Sequence, residues 1–152
     1  MANSSGICDS FKMELLRGYH AFDTTITRGG TTADSFKGAL YNTTATTGPT
    51  NTAYTTTGEC GATGQYSAGG SALTNGNAVA TSGSPSTAYW TPSANLSWTG
   101  VTLTTDCMML YNSTQGNRAV AIFTFGSQTP TSATFTLSMP TNAAATGLLR
   151  LT

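Results

Sequence analysis

The sequence predicts a mainly β fold: an antiparallel β-sandwich or jelly-roll-like body of about eight short strands, with one short N-terminal helix. Three observations carry this. Thr supplies about a fifth of the 152 residues, and a β-branched side chain whose hydroxyl tolerates water suits strands with one wet face. Six Tyr, six Phe and two Trp furnish a packed core although only 8% of residues are charged, unlike disordered chains of high net charge and few aromatics. Short apolar runs recur between Gly, Pro, Asn and Ser clusters at spacings of roughly 8–15 residues, with no repeat of about 20–50 residues.

The elements follow in order. Asp9 or Ser10 can cap Phe11-Lys12-Met13-Glu14-Leu15-Leu16-Arg17, where Phe11 and Leu15 are four apart and Gly18 is a natural stop. This is the helix, too short to persist unless it docks. Phe36 to Tyr41 alternates, with Phe36 and Leu40 on one face, and Thr47-Gly48-Pro49-Thr50-Asn51 is a turn. Ala53 to Thr57 is expected to pair onward, and Gly58, Gly61, Gly64, Gly69 and Gly70 mark a loop or bulged region. Asn77 to Thr81 reads as a strand ended by Ser82-Gly83-Ser84-Pro85. Tyr89-Trp90 and Leu96 to Leu103 follow as strands around Pro92. The strongest signal is a hairpin: Cys107 to Tyr111, a turn over Asn112-Ser113-Thr114-Gln115-Gly116-Asn117, then Arg118 to Phe125. Gly126 to Pro130 reads as a turn, Thr134 to Met139 as a strand with Phe135, Leu137 and Met139 inward, and Leu148 to Leu151 as the last strand.

Length and composition fit one domain over residues 1–152, read as an N-terminal arm with the helix (1–33) and a β body (34–152). Eight of the twelve charged side chains lie in the first quarter: Asp9, Lys12, Glu14, Arg17, Asp23, Arg28, Asp34 and Lys37. Six basic and six acidic residues leave no net field to hold nucleic acid or an anionic membrane. The longest apolar run, Ala119 to Phe123, has strand length, far below the ~18 residues of a membrane span. Met1 to Gly6 has neither the basic nor the apolar stretch of a signal peptide, so synthesis and retention in a cytoplasm are expected.

Little in the chain points to chemistry. Cys8, Cys60 and Cys107 are widely spaced and odd in number, so free buried thiols are expected, with no metal site and no cofactor. His20 is the sole imidazole, with aromatic neighbours and Asp23 three residues on; no Gly-x-Ser-x-Gly elbow accompanies it, and a structural or interfacial role is expected. Glu59 and Asp106 are the only acids in the β-rich portion and so the sole candidate pair for glycoside cleavage there, but each reads as a cap or a solvated group. Lys37 could enter a Lys–Asn cross-link only beside an acid in a dry core; an exposed Lys37 is expected. Trp90 and Trp98 could stack sugars, yet both read as core. Sequons at Asn3, Asn42, Asn95 and Asn112 are about as many as the Ser and Thr content produces by chance. No catalytic residue is expected.

The order of stretches carries a resemblance. Cys8 to Leu16 with Gly18-Tyr19-His20-Ala21-Phe22 opens the chain, followed by Phe36 to Tyr41, Ala53 to Glu59 and Tyr66 to Gly70. Asn117 to Gly126, Ala133 to Thr136 and Leu148 to Leu151 close it. Over nearly its whole length the chain resembles a family of small tailed-bacteriophage virion proteins found among head and tail structural proteins. That resemblance implies a virion component, foremost a capsid cement (decoration) protein on the head surface. Its partners would be the major capsid protein and further copies of itself, as a dimer or trimer. A tail or fibre component recognising the host is the alternative, and a small hydrolase using Glu59 or Asp106 the remaining class. Phe11, Leu15, Leu16, Arg17 and His20 are the expected partner-binding residues. On this reading, deleting residues 1–22 abolishes attachment and spares the β fold.

Overall fold

A computed structural model of the chain describes residues 2–24, 32–80 and 86–152. The expected turn Ser82–Pro85 and the charge of Arg28 lie outside these residues. The fold is mainly β and antiparallel. Ten strands occur among the described residues: β1 (Gly6–Ile7), β2 (Phe36–Tyr41), β3 (Ser71–Ala72), β4 (Val79–Ala80), β5 (Ala88–Trp90), β6 (Leu96–Val101), β7 (Thr105–Asn112), β8 (Arg118–Gln128), β9 (Ala133–Leu137) and β10 (Leu149–Leu151). The one helix among them, α1 (Asp9–Leu16), follows β1. The strands form a five-stranded sheet in the order β1-β8-β7-β2-β3, a three-stranded sheet β10-β5-β4 and the pair β6-β9.

The predicted hairpin is the centre of the large sheet. β7 is buried along nearly all its length, as a continuous apolar run such as Cys107 to Tyr111 requires of a strand covered on both faces. Register sets which side chains share a face. Phe36 lies opposite Asn112, Gly38 opposite Leu110 and Leu40 opposite Met108, so these point one way; Ala39, Tyr41, Cys107 and Met109 point the other.

The first face is covered by α1 and the two small sheets. Trp90 of β5 comes within 5.8 Å of the Phe36 ring, and Phe22 stacks on Phe36 at 4.2 Å. Leu96 of β6 lies over Gly38, where a Cβ would fall 2.8 Å from Leu96 Cδ1 and 2.6 Å from Met108 Sδ. A glycine there lets the small sheet sit directly on the large one. The second face is covered by the loop from residue 42 to residue 70. Tyr54 stacks on Tyr111 at 4.8 Å, the Tyr111 hydroxyl donates to the Gly69 carbonyl at 2.6 Å, and Thr47 Oγ1 meets Cys107 Sγ at 3.2 Å.

Local differences from the sequence reading have physical causes. Ala53 to Thr57 makes only one bridge, Ala53 to Arg118, because Tyr54 turns down onto Tyr111. β8 runs through the expected turn at Gly126 to Gln128, and Ser132 (φ 48°) lies at the turn that follows. Leu137 and Met139 are half-buried, and only Phe135 of the expected inward trio is fully inside. α1 begins one turn position early: Cys8 is the N-cap, without a side-chain hydrogen bond, and its amide is held by the Val120 carbonyl at 2.9 Å. Its end is as expected. Gly18 (φ 70°) donates to the Leu15 carbonyl and Tyr19 to the Glu14 carbonyl, both at 3.1 Å, which is the paired bonding of a Schellman stop.

The described start of the segment expected to be an arm, from β1 through α1, is built into the body. β1 pairs with β8, α1 packs on β8, and Cys8, Phe11 and Glu14 are buried. Removal of residues 1–22 therefore strips core side chains and is expected to cost the fold itself. Phe11→Ala isolates this effect: a loss of about 3–5 kcal/mol in urea unfolding is expected, against little change if the segment were an independent arm.

Candidate functional site

A polar cluster is buried where α1, the end of β7 and the lead-in to β2 meet. Each member has a local reason to be there. Glu14 follows Phe11 by three positions and precedes Leu15, so it lies on the inward face of α1. Asn112 is the last residue of β7, where its side-chain oxygen accepts the amides of Thr114 and Gln115, both at 3.1 Å, and starts the hairpin turn. Arg118 opens β8. Asp34 precedes β2, and its backbone amide and carboxylate bracket Ala21: Asp34 N donates to Ala21 O, and Ala21 N to Asp34 Oδ2, both at 2.9 Å.

The members form a chain of contacts. Arg118 Nη1 donates to Glu14 Oε1 at 2.6 Å, and His20 Nε2 lies 2.8 Å from Glu14 Oε2. Asn112 Nδ2 donates to His20 Nδ1 at 3.0 Å and to Asp34 Oδ2 at 2.7 Å. Gln115 Nε2 reaches Asp34 Oδ1 at 3.3 Å. The Arg118 guanidinium also sits 4.4 Å over the Tyr19 ring, and Phe11 packs 4.8 Å from the imidazole. Burial lowers the His20 pKa below its ordinary value, outweighing the hydrogen bond and charge of Glu14. A buried imidazole bonded to a carboxylate is the base-and-orienter half of a nucleophilic site, but its second nitrogen faces an amide, not a hydroxyl or thiol. The arrangement binds chain segments together.

The expected partner-binding residues divide. Phe11 and His20 are buried and face inward. Leu15 is half-buried and lines an apolar cavity of about 190 Å³ together with Ile7, Phe22, Trp90 and Leu149. Leu16 is 91% exposed, Met13 44%, and Arg17 is exposed beside them. The carboxylate bonded to His20 is that of Glu14, six residues before it. Sequence reasoning missed Glu14, Asp34, Asn112 and Arg118 as a cluster. Only Glu14, an acid on the apolar side of an eight-residue helix, left a readable signal.

The remaining candidates make contacts within the chain. Glu59 accepts from the Tyr66 hydroxyl at 2.8 Å and the Gly69 amide at 2.7 Å, and from the Tyr54 hydroxyl as well. Burial first, then the bonds to Glu59, push the phenols of Tyr54 and Tyr66 well above their ordinary range. Asp106 accepts from Asn3. Half-buried Lys37 lies across from Tyr111 and Ala72, neither of them a cross-linking partner. Both Trp are buried, and each donates its indole N–H, Trp90 to the Gly76 carbonyl and Trp98 to Ser71 Oγ. The three cysteines are free and buried; desolvation pushes Cys8 up to about 12, and Cys60 and Cys107 up to about 11. Among the described residues, no three His, Cys, Asp or Glu side chains are grouped to hold a metal ion, and no helix is long and apolar enough to cross a membrane.

Two outcomes follow from this geometry. Glu59→Ala strands two hydroxyls and an amide and is expected to cost about 2–4 kcal/mol in urea unfolding; a catalytic Glu59 would instead leave stability unchanged. In a thiol-reagent assay near pH 8, the three cysteines should react only after denaturant is added.

No protein-family model matches the chain, and neither a curated protein nor a solved structure does so.

Proposed function

We propose that the chain is a structural protein of a tailed-bacteriophage virion: a capsid cement or decoration protein that binds the outside of the head shell and stabilises it. The observation that carries this reading is the mounting of α1. Glu14 locks one side of the helix to Arg118 and His20, while Leu16 and Met13 stand out on the other. Covering an exposed Leu contributes roughly 1.5–3 kcal/mol, and a helix already held rigid loses little further freedom on docking. The nearby apolar cavity, with the half-exposed Leu151 among its lining residues, gives a partner side chain somewhere to sit.

The resemblance of the chain's opening, hairpin and closing stretches to small virion proteins supplies the partner, the major capsid protein, with self-association as a dimer or trimer. Such a protein is made in the host cytoplasm, ends on the head surface of the virion, and works without cofactor, nucleic acid or membrane. A surface of almost no net charge suits attachment by apolar burial, which salt scarcely weakens.

Immunogold electron microscopy of the phage particle, with antibody against this chain, tests the location. Gold over the head is expected; gold confined to the tail would favour the host-recognising alternative, and an unlabelled particle would end the structural reading. For the contact itself, Leu16→Asp should leave unfolding free energy within about 0.5 kcal/mol of the parent. It should also weaken attachment to shells lacking the protein at least tenfold, about 1.4 kcal/mol. Undiminished attachment would remove α1 from the interface.

A further inference from the structure

We infer that Glu14, His20, Asn112 and Asp34 form an acid-operated clasp: a proton arriving at His20 Nδ1 separates the segment after α1 from the β7–β8 turn, while the sheet beneath stays folded. The inference stands apart from the virion reading and rests on how the Asn112 amide is held. Its two hydrogens are both in use, one on His20 Nδ1 and one on Asp34 Oδ2. Its oxygen accepts two backbone amides, from Thr114 and Gln115. Each of the four contacts demands the same orientation, so the amide cannot be turned round without losing all of them.

That orientation determines the imidazole. Nδ1 must accept, so Nε2 carries the hydrogen and donates it to Glu14 Oε2. A second proton can enter only at Nδ1, where it would point at an N–H of Asn112. Turning the amide to receive it would withdraw the oxygen from the hairpin turn and set it against the Asp34 carboxylate. Among the described residues, the group that faces that nitrogen is the Asn112 amide. Among the described residues, the charged groups acting on the ring are Glu14 from α1, Arg118 from β8 and Asp34 from the lead-in to β2; Phe11 and Phe22 pack against the ring as well. Glu14 and Asp34 favour an imidazolium and Arg118, bonded to the other oxygen of Glu14, opposes it, but burial outweighs the two acids. The His20 side chain is fully shielded from water, which disfavours the cation further.

The direction with pH follows. The closed ring's pKa lies below the ordinary value of about 6.5, so above that pH both closed and open forms carry a neutral ring and the clasp is shut. As pH falls, the open form binds the proton first. The opening equilibrium then rises about tenfold per pH unit until the pKa of the closed ring is reached.

The single histidine makes the test direct, because the chain has one imidazole signal. Nitrogen-detected NMR of that ring, titrated from about pH 7.5 to about pH 4.5, should show the Nε2–H tautomer at the start. Hydrogen exchange over the same range, corrected for intrinsic rates, should show the amides of Ala21, Asp34, Thr114 and Gln115 losing protection as the ring protonates. The amides of Leu110 and Leu40 should stay protected. In His20→Gln, whose side chain offers one acceptor and one donor but cannot take a proton, the acid response should vanish. The inference is overturned if the ring protonates while those four amides stay protected. It is equally overturned if they open with the same midpoint in His20→Gln, which would assign the response to a carboxylate.

Discussion

A strand buried on both faces needs a cover on each, and β7 imposes that demand on the whole chain. Its residues from Cys107 to Asn112 are all inside. One side is met by regular structure: α1, β10-β5-β4 and β6-β9. The other is met by a long loop with few regular hydrogen bonds, held by Tyr54 on Tyr111, by the Tyr111 hydroxyl on Gly69, and by Cys60 N on the Leu40 carbonyl. A loop can serve as a cover only if its own polar groups are satisfied. Glu59 does much of this, gathering two tyrosine hydroxyls and a backbone amide from Tyr54 to Gly69 at one carboxylate.

The same logic explains why two acids, Glu14 and Asp34, are buried and a third, Glu59, is half-buried in an almost uncharged chain. Glu59 ties the loop cover together, and Glu14 ties the helical cover to β8 through Arg118. Breaking either hub by removing one partner strands the others in a dry setting, which makes each interaction more consequential than its count suggests. At the mouth of the helical side, β7 ends in a buried amide, and Asn112 needs partners because no water reaches it. His20 and Asp34 come from segments far apart in sequence to provide them, at separations of 92 and 78 residues. The clasp is thus the polar solution to closing one end of a two-faced core.

How much of this was legible depends on the range of each interaction. The hairpin Cys107 to Phe125 could be read because its signals are local: two apolar runs and a turn rich in Asn and Gly. Phe36 to Tyr41 and the stop at Gly18 were readable for the same reason. The two-residue strands β1 and β3 were not, since Gly6-Ile7 and Ser71-Ala72 carry no alternation and become strands only because β8 and β2 offer free edges. The stretch from Ala53 to Thr57 looked like a strand by its β-branched residues, yet Tyr54 is worth more against Tyr111 than in a ladder. Of the candidate site, the sequence did not show that Phe11 and His20 are buried while Leu16 and Arg17 are exposed. The helix of eight residues has too few turns for periodicity to separate its two faces.

What separates the two faces is Glu14. An acid three residues after Phe11 and one before Leu15 looks out of place on an apolar stripe, and in most short helices it would mark the wet side. Here the wet side carries Leu16 and Met13, and the acid is inside because Arg118 and His20 meet it there. The inversion has a consequence for how the surface is built. A helix that buried its leucines would need no charge to hold it, and would show a polar face to its surroundings. This helix is held by buried Phe11 and by a buried carboxylate paired with half-buried Arg118, and so can turn other apolar side chains outward without losing its place. Stability and surface are supplied by different residues of the same eight, which leaves Leu16 and Met13 open to be selected for what they touch beyond the chain.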